Sequence, residues 1–275
     1  MTLFDVPHNG LDTFITVLFP LAVGAFGLLI GSFLNVVVWR VPRGESIVSP
    51  PSACPRCGHR IRARDNVPVV SWLVLGGRCR DCSEPIARRY PLVEAGTGIG
   101  FGLTAWAVGP SWRLPALLYL VAIGIALALI DLDVHRLPDA IVLPSYVVAL
   151  ALLGVAAWNP GGASNWSALL RALIGCTALF AIYFCIVMVY PAGMGFGDVK
   201  LAGVLGMYLG WFGWGALAFG WFAAFLLGGA FAIGLLLTRR ANRKSGVPFG
   251  PWMITGAFLG LVAGGPVLGW YISLL

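Results

Sequence analysis

Apolar residues in this chain come in long blocks, at 14–38, 91–109, 115–132, 139–158, 168–190, 199–213, 214–238 and 249–273, parted by short polar stretches. A helix rises about 1.5 Å per residue, so about 20 apolar residues cross the ~30 Å hydrocarbon core of a bilayer. Lipid offers no partner to backbone amides and carbonyls, and helices satisfy their own. The pattern therefore predicts about eight transmembrane helices. The sixth block is short and runs almost directly into the seventh, which leaves seven spans as the alternative. The opening stretch MTLFDVPHNGLDTF lacks the basic region of a signal peptide, so the first block is expected to be retained.

Composition agrees: 59% of the 275 residues are hydrophobic and 11% charged, too few polar groups to cover a soluble domain of this size. The fold class expected is an all-α polytopic membrane protein with the lipid bilayer as its surroundings. The net charge of +7 is concentrated, with ten of the eighteen basic residues between Arg40 and Arg89 and four more at Arg239, Arg240, Arg243 and Lys244. The positive-inside rule puts both segments in the cytoplasm. Alternating helices then bring Arg136 and Lys200 to that face, and an even number of spans leaves both termini outside. Topology accounts for the charge, and Trp72 is the one aromatic inside the basic loop, so no nucleic-acid partner is expected.

Three regions follow: a first helix in 1–39, a cytoplasmic loop domain in 40–90, and a transmembrane core in 91–275. The loop carries CPRCGHR and CRDCSEP, so Cys54 and Cys57 are separated from Cys79 and Cys82 by 21 residues. Two CxxC pairs at this spacing are the pattern of a zinc ribbon, in which four thiolates close a tetrahedron around a structural ion. A loop this small builds little hydrophobic core, and a metal would supply the missing folding energy. A closed four-thiolate site has no open position for substrate, so the zinc is expected to be structural. Cys176 and Cys185 lie inside an apolar block and are read as small buried hydrophobes.

Of eleven acids, five stand within or at the ends of the blocks: Glu94, Asp131, Asp133, Asp139 and Asp198. An ionisable group at membrane depth is costly and signals function. In ALALIDLDVHRLPDAIVLP, Pro138 halts one helix and Asp139 suits the start of the next as a cap. Asp131 closes its helix at the cytoplasmic end, and Asp133 faces roughly the other side of the turn. In YPAGMGFGDVKLAGVLG, Asp198 follows two glycines at the start of a helix and falls at the same boundary as Asp131. Two carboxylates in one wet cavity can share a proton, one activating water while the other protonates a leaving group. A plain cap on its own helix explains Asp198 equally well on spacing alone.

Several stretches together break that tie. GSFLNVVVWRVPRGE, CPRCGHRIRARDNVPVVSWLVLGGRCRDC, IARRYPLVEAGTG, LIDLDVHRLPD, GMGFGDVKLAG and VPFGPWM resemble, in order from Gly31 to Met253, the motifs of the bacterial type IV prepilin peptidases. The resemblance implies an aspartic endopeptidase of the GxGD class in the bacterial cytoplasmic (inner) membrane. Such enzymes remove the basic leader of prepilins and pseudopilins at the cytoplasmic face, then usually methylate the new N-terminus with S-adenosylmethionine. Matched to the family pattern, the catalytic pair is Asp131 and Asp198. The helix N-terminus beside Asp198 favours Asp198 as the ionised partner. Asp133 and Asp139 occupy family-like positions without an assigned role.

Methyl transfer rests on the cysteine loop, which resembles that of bifunctional members. No glycine-rich nucleotide fingerprint follows a predicted strand. Glu94 and Asn35 are polar residues at apolar positions, suited to a cofactor or substrate pocket or to helix-to-helix hydrogen bonds. Two rival classes remain: a transporter using Asp131 and Asp198 as a proton relay, and a non-catalytic pilus or secretion assembly platform. The first lacks matching half-repeats, and its acids sit at one face.

Overall fold

The apolar blocks fold as helices. The computed structural model describes residues 10–191, 193–238 and 248–274, with side chains from residue 16 onward. The basic cluster at 239–244 lies outside the described residues. The long helices are α1 (Gly10–Arg40), α3 (Arg89–Val108), α4 (Leu114–Val134), α5 (Asp139–Trp158), α6 (Trp166–Val189), α7 (Phe196–Phe212), α8 (Trp214–Leu237) and α9 (Gly250–Ile272), with a five-residue α2 (Val70–Val74) in the loop. Each predicted block is therefore a helix. Among the described residues six of the eight, α1, α4, α5, α6, α8 and α9, are long and apolar enough to cross a membrane.

The other two are α3 and α7, and α7 has 17 residues, about 25 Å at the usual rise, short of the hydrocarbon thickness. It is shielded by protein instead: from Asp198 to Trp211 every residue except Lys200 is buried. By contrast Val147, Val189 and Leu237 on α5, α6 and α8 are at least 71% exposed, as lipid-facing side chains are. Cys185 is also exposed, which corrects its reading as a buried hydrophobe; in a bilayer an apolar thiol suits a lipid-facing position as well as a core one.

The chain divides into two compact units, Met1–Ala126 and Leu127–Leu275. In the first, α1 packs along α3. The helices approach closely because glycines face each other: a Cβ on Gly24 would lie 3.2 Å from the carbonyl of Gly98, and one on Gly31 would lie 2.7 Å from Cα of Glu94. Lipid tails are as apolar as leucine, so helices in a bilayer associate through close van der Waals fit at small residues.

In the second unit, α7 packs against α5, α6, α8 and α9. Gly206 and Gly210, one turn apart, meet Gly175 and Arg171 of α6 so tightly that neither has room for a methyl group. The α8–α9 seam repeats the device, with Gly256, Gly260 and Gly264 against Ala216, Gly220 and Ala224. Close packing of this kind holds a short helix rigidly inside the bundle and fixes where its N-terminus lies.

Candidate functional site

The loop after α1 folds as two copies of one turn. Cys54 N–H donates to the His59 carbonyl at 3.0 Å and Gly58 N–H to the Cys54 carbonyl at 2.9 Å. Twenty-five positions on in the sequence, Cys79 N–H donates to Glu84 at 2.8 Å and Ser83 N–H to Cys79 at 2.9 Å. Isolated β-bridges, Ala53 with Arg60 and Arg78 with Pro85, close the turns. The residue after each second cysteine, Gly58 or Ser83, takes a left-handed φ of 72° or 58°. Each turn offers two sulfurs on one side.

The four sulfurs, one from each of Cys54, Cys57, Cys79 and Cys82, all lie within 4.8 Å of one another, with Cys54 and Cys82 Sγ 3.7 Å apart. A tetrahedral Zn–S distance of about 2.3 Å requires sulfurs about 3.8 Å apart, so the donor set fits zinc. Amides of Cys57 and Arg56 hold the Cys54 thiol down, to about 7. Four thiolates this close cannot all ionise unaided. The Glu84 amide draws Cys82 down, but burial and the neighbouring thiols push it up to about 12. A dication reverses that balance.

Asp131 and Asp198 come together in the second unit. Both are buried, with 5% and 9% of their surface exposed, and they are near enough for their charges to interact. Asp131 stands in the last turn of α4, which stops at His135, a residue of positive φ (51°) whose N–H donates to the Asp131 carbonyl at 2.9 Å. Its carboxylate accepts the N–H of Gly250, the first residue of α9, at 2.9 Å. Asp198 lies in the first turn of α7 and accepts the Gly195 N–H at 3.2 Å, while its own N–H donates to the Gly195 carbonyl. It is thus a helix cap and a buried acid at once. Each carboxylate accepts one amide at a helix N-terminus, so the dipole argument that set Asp198 apart applies to Asp131 as well.

Leu137, in the turn after α4, joins the two halves. A Cβ on Gly197 would lie 3.1 Å from Leu137 Cβ, and one on Gly250 would lie 3.4 Å from its Cδ2 and 2.8 Å from Asp131 Oδ2. Phe249 is anchored by Phe225 and Tyr183, with ring centroids 5.2 and 6.4 Å away. Pro251 opens α9 with its φ preset. The stretch VPFGPWM therefore supplies an aromatic anchor, an amide for Asp131 and a helix start. Sequence reading missed this role, although the small residue between Phe and Pro was its signal.

Asp139 is not the cap that sequence suggested. Pro138 occupies that position, and the Asp139 carboxylate pairs with Lys200 Nζ at 2.7 Å. Tyr146 OH donates to the Lys200 carbonyl at 2.6 Å, a second tie between α5 and α7. Asp133 is exposed. In the first unit, Asn35 of α1 donates to the Tyr90 carbonyl of α3 at 3.2 Å, a helix-to-helix bond, while Glu94 accepts the Val69 N–H of the loop at 2.7 Å.

Comparison with known proteins places this architecture. Residues 25–108 match the Bacterial Peptidase A24 N-terminal domain, and residues 118–233 match the Type IV leader peptidase family. The chain is 37% identical to the prepilin leader peptidase/N-methyltransferase of Pseudomonas aeruginosa, over 93% of this chain and 94% of the relative. It is 35% identical to that of Aeromonas salmonicida, over 90% and 92%, and 38% identical to that of Neisseria gonorrhoeae, over 71% and 77%. The chain belongs to the type IV leader peptidase family. No solved structure matches it. Within the leader peptidase family match lie both buried aspartates, and within the N-terminal domain match lie all four cysteines. Membership in a protease family disfavours the transporter and platform readings.

Proposed function

We propose that this multi-pass membrane protein removes the leader of type IV prepilins or pseudopilins and then methylates the exposed N-terminus. The observation that carries the peptidase half is the pair of buried carboxylates, Asp131 and Asp198, each oriented by one backbone amide and joined through Leu137. Two like charges in a low-dielectric site cannot both persist, so the pair retains one proton. The ionised carboxylate takes a proton from the attacking water, and its partner gives one to the leaving amine. The amides of Gly250 and Gly195 hold the carboxylates in place, so little reorganisation accompanies the reaction.

The zinc-binding cysteine loop in 40–90 and the active site are assigned to the cytoplasmic face by the basic residues between Arg40 and Arg89, with the peptidase core in 91–275. Cys54, Cys57, Cys79 and Cys82 would hold the zinc, as a structural clamp. S-adenosylmethionine, when bound, supplies an electrophilic methyl group on a positively charged sulfur. Methylation is supported by the prepilin leader peptidase/N-methyltransferase relatives, which align over both the cysteine loop and the core.

The test is mass spectrometry of a co-expressed prepilin's N-terminus. Wild type should release the leader and add 14 mass units, the increment of one methylene by standard atomic masses. Asp131→Ala and Asp198→Ala should each leave the leader in place. Cutting that persists in either variant overturns the pair. A cut but unmethylated product removes the second activity alone.

A further inference from the structure

The loop between α1 and α3 carries an apolar face that no described residue covers. In α2, Val70, Leu73 and Val74 fall on one side of the turn and are 55%, 64% and 76% exposed, while Ser71 points inward and is buried. A single exposed apolar side chain is ordinary, but three together on a loop mark a contact surface. Both neighbouring helices also turn apolar rows outward: Leu29 and Phe33 on α1, and Ile99 and Leu92 on α3.

Depth along those helices identifies the partner. Val69, the residue before α2, donates its N–H to Glu94 of α3 at 2.7 Å. Glu94 lies against α1 at Gly31, where a Cβ would come within 2.7 Å of its Cα. Trp39, with the Arg43 guanidinium 3.6 Å from its ring centroid, marks the membrane–water boundary on α1, and Arg89 marks it on α3. Gly31 precedes Trp39 by about 12 Å of helix, and Glu94 follows Arg89 by about 7 Å. Allowing for the reach of the glutamate side chain, α2 begins about 3 to 8 Å inside that belt. The helix is only about 7 Å long, so it stays at the interface, where Leu92 and Phe33 already face outward.

Backbone bonding fits the same setting. Water can serve the amides of an exposed loop, whereas lipid leaves them to the protein. Around α2 the N–H groups of Val67, Val69, Val70, Ser71, Leu73 and Leu75 all donate within the segment or to Glu94. Val69 is strained in the process, with φ 61° and ψ −50° at a β-branched residue, and the Glu94 carboxylate fixes it there. Exposed Arg64 and Arg78 flank the helix. The Arg64 carbonyl accepts the Ser71 hydroxyl, and the Arg78 N–H donates to the Leu75 carbonyl. Arginine stems lie along apolar surface while their guanidinium groups reach phosphate. We propose that α2 is an interfacial helix: Val70, Leu73 and Val74 enter the acyl chains of the bilayer, Arg64 and Arg78 meet lipid phosphates, and the cysteine loop is thereby seated on the membrane. The assignment rests on the membrane setting and on neither enzymatic activity.

The test is fluorescence quenching on the full-length protein carrying Val74→Cys, with Cys176→Ala and Cys185→Ala, labelled with bimane in nanodiscs of phosphatidylcholine and phosphatidylglycerol. Peptide mass mapping confirms the labelled position, and metal content equal to that of the unlabelled parent checks the loop fold. Lipid bearing a nitroxide at acyl carbon 5 should lower the emission at least about twofold, and aqueous iodide should quench about fivefold less than it quenches the free dye. Val70→Cys, on the same face, should behave alike and is read instead if Val74→Cys alters the metal content. Iodide quenching equal to that of the free dye, with no effect of the nitroxide lipid, puts the face in water and overturns the proposal. Protection from both quenchers means that protein covers the face, which overturns it equally.

Discussion

Cys54, Cys57, Cys79 and Cys82 converge because two short turns repeat one hydrogen-bond pattern, and each turn presents its sulfurs with little help from the rest of the chain. Asp131 and Asp198 converge only because α4, α7 and α9 pack in one particular way, with glycines at the contacts and Phe249 pinned in an aromatic cluster. A locally built site depends on its ligand for rigidity. A site built from packed helices carries its own rigidity, and a change of one methyl group at a contact is felt there. The two regions should therefore fail in different ways.

The largest separation is expected when each is stripped of its chemistry. Asp198→Asn should lower leader cleavage about a thousandfold while leaving bound zinc unchanged. Cys54→Ser should lose the metal and expose 40–90 to limited proteolysis, with the helices of Leu127–Leu275 still resistant. Metal analysis and peptide mapping on both variants check the pair. If loss of the metal also made the second unit protease-sensitive, the independence drawn here would be wrong.

A smaller effect is expected at Gly250. A Cβ there would come within 2.8 Å of Asp131 Oδ2, so Gly250→Ala should shift that carboxylate and lower kcat about ten- to a hundredfold with little change in KM. Steady-state kinetics on a synthetic leader peptide distinguishes this from weakened substrate binding, which would raise KM instead.

The Lys200–Asp139 pair should matter less. Its side chains are 22% and 56% exposed, so Lys200→Met should cost about 0.5 kcal/mol of stability in a denaturation curve. A loss several times larger would mean that the pair clamps α5 to α7 more firmly than its exposure implies.

The smallest expected effect is a pH dependence in the loop. Arg80 hydrogen bonds hold the Asp65 carboxyl below the usual carboxylate range. Asp65 therefore adds stability that is fully present above the ordinary value, near about 4, and disappears as pH falls through the lowered one. Comparing Asp65→Asn with wild type by loop proteolysis should show a constant deficit from neutral pH down to that range, then convergence. A deficit that grows with acidity would reverse the sign.

Much of the architecture was legible because lipid imposes a simple rule on sequence. A helix that must satisfy its own backbone in hydrocarbon has to be apolar along its length, so each block could be read directly as a helix. The CxxC pairs were legible because their ligand geometry is set by spacing within single turns. Asp131 and Asp198 stood out because acids are scarce in apolar blocks, and the motif order pointed to them together. The sequence marked α7 as short but not as enclosed by protein. Its enclosure by α5, α6, α8 and α9 depends on which glycine faces which neighbour, and a single sequence does not order those contacts.

Asp139 looked like a cap until the fold placed Lys200 across from it. Of the two paired acids, Asp198 alone looked placed at a helix N-terminus until Gly250 appeared beside Asp131. The amino-acid sequence alone determined the helices, the membrane setting, the cysteine quartet and the two acids, since each follows from forces acting within a few residues. Only the tertiary structure decided which amide meets which carboxylate, and that Glu94 holds a strained turn before α2. Those partners are distant in the chain, and packing alone brings them within hydrogen-bond reach.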